Sequence, residues 1–487
     1  MTIPDKKITK SIFIKNMFWK FGERAGSQTV AFIVSVVIAR ILMPEEYGLI
    51  AMVLVFTNIA GTFVTAGIGQ SLIQKKDADN LDFSSIFFLN IGLSILLYAI
   101  VFFAAPGVAR FYNNEILTPI MRVLGITLMP AAINSVLGAY VARNMMFKRS
   151  FYSNLVGVLA SGIVGIVMAY QGFGVWALVA QNIIVMYVNI IVLWFIVKWR
   201  PEWKFSGKRA ARLFSFGWKI QLSGILTVFS SQLRNLVIGK LYSSVDLAYY
   251  QRGLTFPRLI SNNLIVPISA VFFPVISQAQ NDKIRLKELT RKYVRVTSYI
   301  VFPLMAGLAA AARPLVDVLL TAKWLPAVPF LQISCFSFAI IIIQMAIQDA
   351  INALGRSDIY LYMDLVRKVI GLSIVFMVMK QGVMAIALSV FIVAPISIFM
   401  VMEVSRRLID YRYKEHFLDN FPLLFASLAM ASVVYLVQLL GFSSLITLSL
   451  QIVTGVTIYY TLSRLFKFEG YLLVLEYLLM FKSKVVG

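Results

Sequence analysis

The segment from Phe83 to Ala105, FSSIFFLNIGLSILLYAIVFFAA, runs 23 residues without a charged side chain. Coiled as a helix it is about 34 Å long, enough to cross a hydrocarbon core about 30 Å thick. A barrel strand would alternate polar and apolar residues, and this run does not. A window of about 20 residues moved outward from it finds thirteen more runs of the same kind. The fourteen are 17–42, 47–73, 83–105, 117–142, 151–170, 174–197, 214–241, 247–277, 293–320, 328–354, 359–379, 383–402, 421–440 and 444–463. The pattern predicts an all-α polytopic membrane protein, with twelve spans as the alternative if the last pair does not cross.

Composition agrees. Of 487 residues, 60% are hydrophobic and only 14% charged, whereas a soluble chain keeps about a quarter charged to cover its surface. The net charge of +23 would suggest nucleic acid in a soluble protein, but in a membrane protein it reads as loop charge that orients helices, so no nucleic-acid partner is expected. One cysteine, Cys335, and one histidine, His416, leave no material for a disulfide framework or a Cys/His metal cluster. No cofactor is expected. The N-terminal apolar run carries Glu23 and Arg24 and lacks the short core and small-residue cleavage site of a signal peptide, so it reads as a retained first span.

Loop charges fix the orientation. With a cytoplasmic N-terminus, thirty Lys and Arg lie in loops and tails on the cytoplasmic side, against five (Arg40, Arg110, Lys240, Lys323, Lys380) on the other. Both termini then face the cytoplasm, and a miscounted span would spoil the alternation. The opposite loops are too short to fold into a domain. The longest connection, 198–213, mixes Trp199, Trp203 and Phe205 with six basic residues, as an interfacial segment would. It divides the chain into 1–198 with six spans, the linker 199–213, 214–403 with six more, and 404–487 with the last two and a tail. Phe18-Trp19-Lys20-Phe21-Gly22 and Phe214-Ser215-Phe216-Gly217-Trp218-Lys219 open the first and seventh spans alike. Two parallel six-span repeats related by an axis along the membrane normal would be a transporter architecture.

Charge inside the spans carries the functional reading. Ten bases lie in spans or at their edges (Lys20, Arg24, Arg122, Lys219, Arg234, Arg252, Arg258, Arg313, Arg367, Lys368), against four acids (Glu23, Asp317, Asp349, Asp364). A base at a helix centre costs about 2.5–3.5 kcal/mol to insert, so each needs a polar cavity or a partner. The surplus predicts an anionic ligand or a water-filled cavity holding anions between the halves. Arg24 lies about 10 Å into its span, Lys219 about 8 Å and Arg258 about 16 Å, with Arg234, Arg252 and Arg122 in the outer half. Planar guanidinium forks at successive depths would suit a diphosphate carried between leaflets. Arg24, Arg258 and Arg234 are the first candidates. Lys20, Lys219, Arg252 and Arg122 follow, since lysines near the inner surface and arginines near the outer one can snorkel instead. Pro257 and Pro267 with Asn262 and Asn263 predict a bent, cavity-facing eighth span. Asp349 and Asp364 are open to a proton or cation role or to a salt bridge, for example Asp364 with Arg367 or Lys368. Gly22-x-x-x-Gly26 suits close helix packing.

Several stretches resemble one family. Ala39-Arg40-Ile41-Leu42-Met43-Pro44-Glu45-Glu46-Tyr47-Gly48-Leu49, residues Arg143 to Lys148, Leu247-Ala248-Tyr249-Tyr250-Gln251-Arg252 and Trp324-Leu325-Pro326-Ala327-Val328-Pro329 are similar to the bacterial polysaccharide transporter (Wzx-type) flippases. These belong to the multidrug/oligosaccharidyl-lipid/polysaccharide (MOP) superfamily, and the chain most resembles the colanic- and teichuronic-acid exporter branch. The resemblance implies a V-shaped pair of six-helix lobes plus two C-terminal helices, working by alternating access in the bacterial cytoplasmic membrane. The implied cargo is a polyprenyl-diphosphate-linked oligosaccharide, with membrane lipid, a coupling H+ or Na+ and polymerase and export machinery as further partners. Related peptidoglycan-precursor flippases carry a first-helix arginine, a place Arg24 occupies here, and use their last two helices as a lipid-tail groove. A drug-cation exporter of the same superfamily would need an acidic cavity. A membrane-embedded polymerase or glycosyltransferase would need a large outer loop or an acidic motif, and neither is found, so no enzyme is expected. A structural scaffold for export remains an alternative.

Overall fold

The computed structural model describes residues 10–472 except 66, 67 and 76; the side chains of 10–25, 68, 70, 216, 219, 220, 265, 266 and 342 lie outside that description. Every described element is helical. In chain order they are α1 Lys10–Ile41, α2 Pro44–Thr65, α3 Ile68–Gln74, α4 Asn80–Tyr112, α5 Leu117–Gly125, α6 Leu128–Arg143, α7 Phe147–Tyr170, α8 Val175–Ile196 and α9 Gly207–Leu241. There follow α10 Ser244–Gln278, α11 Lys283–Ala310, α12 Ala312–Leu320, α13 Val328–Ala353, α14 Ser357–Val378, α15 Val383–Leu388, α16 Val390–Ile409, α17 Tyr413–Leu436 and α18 Ser444–Phe466. The protein is a multi-pass membrane protein. Ten described segments are long and apolar enough to cross a bilayer. The bent pair Ser244–Leu264 and Pro267–Gln278, meeting at 41°, makes an eleventh. The bend falls at Pro267, which removes a backbone donor from the ladder. The other expected spans are helical too. Helix α14 carries Asp358, Asp364, Arg367 and Lys368 and α9 opens on Lys208, Arg209 and Arg212, which makes both more polar, and the described side chains of α1 form an apolar stretch at Gly26–Ile41.

The chain divides into two compact units, residues 1–248 and 249–487, with α9 in the first and most of α10 in the second. In the first unit, α7 presents Ser153, Gly157, Ser161, Gly165 and Ala169 at every fourth position, all buried. Small side chains let backbones approach where no hydrophobic force separates lipid from protein. Asn189 of α8 donates to Asn154, and Gly162 and Gly26 meet Val34 and Phe151 across the α1–α7 contact. Gly48 of α2 is as tightly placed: a Cβ there would sit 1.8 Å from the Ser244 carbonyl oxygen. In the second unit Gly253 plays the same part, 2.6 Å from the Phe330 Cβ and 2.7 Å from the Leu331 nitrogen. The starts of α2 and α10 also share a cap. The Met43 amide donates to the Glu46 carboxylate at 2.6 Å, and the Ser243 amide and hydroxyl to Asp246 at 3.3 and 2.6 Å.

Candidate transport site

Two helices carry polar stripes that hydropathy averages away. On α9, Ser223, Thr227, Ser230 and Arg234 follow the spacing i, i+4, i+7, i+11, which holds them within about 60° of one helix face. Thr227 is exposed and the others half-exposed. The Thr227 hydroxyl donates to the Ser223 carbonyl at 2.8 Å and that of Ser230 to Leu226 at 2.7 Å. For Ser230 such back-bonding satisfies the hydroxyl donor within the helix and leaves the oxygen able to accept from a ligand or water. Helix α2 adds Asn58, Thr62 and Thr65, with Asn58 and Thr65 exposed. It is held to α9 by Gln221, whose side-chain amide donates to the Phe63 carbonyl at 2.5 Å.

The second unit repeats the spacing on α10 with Gln251, Thr255, Arg258 and Asn262. Arg258 and Asn262 are exposed, and the Thr255 hydroxyl donates to the Gln251 carbonyl at 3.2 Å. Each stripe therefore holds one arginine, and neither Arg234 nor Arg258 has an ion-pair partner among the described residues. Charge reasoning found the two arginines and missed the hydroxyls. Their signal was present as Ser and Thr at helical spacing inside otherwise apolar spans.

The remaining candidates stand differently. Arg252 is 7% exposed, and its guanidinium lies over the Trp324 ring at 4.9 Å. Tyr249 meets the same ring edge-on at 6.1 Å, so two of the family-like motifs pack on each other inside the second unit. Arg122 is half-buried, stacked over Phe102 at 4.3 Å and donating to the Phe102 carbonyl at 3.3 Å. Arg313 is exposed. Lys20 and Arg24 lie on α1 and Lys219 on α9, with side chains outside the described residues. Arg143, quoted above only as part of a motif, caps the end of α3 by donating to the Leu72 and Lys75 carbonyls at 2.9 and 2.6 Å.

Of Asp317, Asp349 and Asp364, Asp364 is the one that pairs with bases. It binds Arg367 and, at 2.5 Å, Lys368, while Arg367 also donates to Gln344 at 2.7 Å. Asp364, Arg367 and Gln344, with Gln348, Tyr360 and Ser397, line a cleft inside the second unit. Asp349 instead accepts hydrogen bonds from the Ser269 and Tyr293 hydroxyls at 2.6 and 3.1 Å. Asp317 accepts one from Ser444 at 2.5 Å.

A family model described as polysaccharide biosynthesis protein matches residues 37–329. The succinoglycan biosynthesis transport protein ExoT of Rhizobium meliloti (strain 1021) is 22% identical over 368 residues, 76% of this chain and 74% of its own. Among solved structures, the lipid II flippase MurJ in an inward closed conformation aligns with a TM-score of 0.75 at 14% identity, covering 93% of this chain and 98% of that one. An inward-facing multidrug resistance MATE family transporter of the MOP superfamily aligns at 0.61 and 14% identity, covering 78% and 95%. The fold is that of the MOP superfamily.

Proposed function

The chain belongs to the polysaccharide biosynthesis protein family, and from that premise we propose that it is a flippase for polyprenyl-diphosphate-linked oligosaccharides. It moves them between leaflets by alternating access to supply polymer export. The observation that carries this reading is the pair of polar stripes, each with an arginine that no described carboxylate neutralises. Arg24, Arg234 and Arg258 are each read as a contact for the diphosphate. The Ser, Thr and Asn groups beside them exchange hydrogen bonds with sugar hydroxyls, and the isoprenoid tail stays in lipid. Lys20 and Lys219 assist from the basic side. Arg252 and Arg122, engaged with aromatic rings, contribute less.

The superfamily's drug-cation exporters would need an uncompensated acidic cavity, and here Asp364 is already held by two cations. Asp349, partnered by hydroxyls rather than cations, is where a coupling H+ or Na+ would act. The protein works without covalent catalysis in the bacterial cytoplasmic membrane, both termini in the cytoplasm, beside polymerase and export machinery. The test is vesicle transport by the purified protein. Labelled polyprenyl-diphosphate oligosaccharide should cross while a hydrophobic cation drug should not; transport of the drug alone would reverse the assignment.

A further inference from the structure

The connection from α8 to α9 is pinned to the first turns of α4 like a strap. The buried Trp199 donates its indole N–H to Asn80 at 2.5 Å. The Glu202 amide donates to the Ser84 hydroxyl at 2.9 Å, and that of Ser206 to Ser85 at 3.1 Å. The Trp203 ring lies 5.6 Å from that of Phe88. Asn80 to Phe88 is eight residues of helix, about 12 Å of rise, so the strap dips alongside α4 with Trp203 at its deepest point. Arg209 closes the loop by donating to both carboxylate oxygens of Asp79 at 2.7 and 2.6 Å.

The outward face is left both greasy and cationic. Trp203 is 94% exposed and Phe195 77%, with Phe205 and Phe214 also exposed. Near them in the chain Lys198, Lys204, Lys208 and Arg212 are exposed, and their side chains have no ion-pair or hydrogen-bond partner among the described residues. Lys208 and Arg212 stand four apart on one face of α9. Arg200 is spent on the strap itself, donating to the Val197 and Trp199 carbonyls at 2.7 Å and lying over Trp194. Exposed aromatic rings interspersed with uncommitted cations along one segment suit a headgroup region, where rings reach the acyl chains and ammonium and guanidinium groups reach the phosphates.

We propose that strap 198–212 is a seat for anionic phospholipid, distinct from the stripes of α9 and α10, with Trp203 among the acyl chains and Lys198, Lys204, Lys208 and Arg212 on the headgroup phosphates. It rests on the membrane reading and not on the identity of the cargo. Each uncommitted base near an anionic surface strengthens attraction about fivefold, so the four together favour phosphatidylglycerol over phosphatidylcholine strongly.

The test is native mass spectrometry of the full chain released from nanodiscs holding both lipids. The wild type should retain phosphatidylglycerol preferentially, and Lys198→Gln/Lys204→Gln/Lys208→Gln/Arg212→Gln should lower that preference more than tenfold. Arg234→Ala/Arg258→Ala should leave it unchanged, which separates failure of this proposal from failure of the transport reading. An unchanged preference in the quadruple variant, an equal loss of both lipids, or displacement of lipid by inorganic phosphate would each overturn it. Should the quadruple variant not fold, Trp203→Cys in a Cys335→Ala background reports with every cation in place. A polarity-sensitive dye at 203 should enter an apolar environment in phosphatidylglycerol nanodiscs and less so in phosphatidylcholine alone; identical spectra contradict the seat.

Discussion

Removing Arg258 separates a ligand contact from a structural one. The side chain is exposed on α10 and has no ion-pair partner among the described residues, so Arg258→Ala leaves no buried group unsatisfied. Its effect on thermal stability should stay within about 0.5 kcal/mol. A guanidinium on a diphosphate makes charge-assisted, bidentate hydrogen bonds, and hydrogen bonds to charged groups contribute about 1.5–3 kcal/mol. Loss of Arg258 should then weaken binding of a polyprenyl diphosphate about 10- to 150-fold. Arg258→Lys keeps the charge but loses the fork and should fall between. Arg252→Ala is the control: it removes a buried side chain from the Trp324 face and should lower the melting temperature. The assay is calorimetric titration of a diphosphate lipid into nanodisc-embedded protein, with a melt of each variant. An unchanged Kd in Arg258→Ala, or a weaker one that merely tracks a fall in melting temperature, refutes the reasoning.

Other outcomes follow from the packing. Asp419, whose side chain is 4% exposed, accepts two hydrogen bonds from Arg291 at 2.8 and 2.9 Å and one from Tyr411 at 2.7 Å. Asp419→Ala leaves that guanidinium without its main partner and should cost about 3 kcal/mol, read as faster amide exchange across Tyr413–Leu436. Gly162→Leu must displace Val34, 2.5 Å from the new Cβ. It should destabilise by about 1–3 kcal/mol in a thermal melt. Burial raises the Asp79 pKa, but the hydrogen bonds from Arg209 and the Asp82 amide outweigh this and hold it below the usual carboxylate range. Since the folded pKa is the depressed one, the Asp79–Arg209 staple contributes fully above about pH 5 and fades as pH falls through that range. Melts of wild type against Asp79→Asn should therefore differ at neutral pH and converge under acid.

Much of this architecture was legible because a bilayer demands long apolar helices and allows few exceptions. The run 83–105, the bend at Pro267 and the pairing of Asp364 with Arg367 and Lys368 all follow from local sequence, either run length or near-neighbour spacing. What could not be read was orientation around each helix. Arg252 and Arg258 sit six residues apart on one helix with the same chemistry, yet one is buried against Trp324 and the other exposed. The difference lies in what α13 and its preceding turn bring beside them, which no local pattern carries. Arg122 likewise spends its charge on a carbonyl and a ring twenty residues upstream. The hydroxyl stripes were visible in the sequence at helical spacing but have no charge, so a search for intramembrane charge passed over them.

The most direct test of the central claim is the initial rate at which Arg234→Ala/Arg258→Ala, reconstituted at wild-type density and melting temperature, flips a labelled polyprenyl-diphosphate oligosaccharide in vesicles. The rate should fall to the protein-free background. A double variant that flips as fast as wild type would contradict the assignment of these two arginines to the diphosphate.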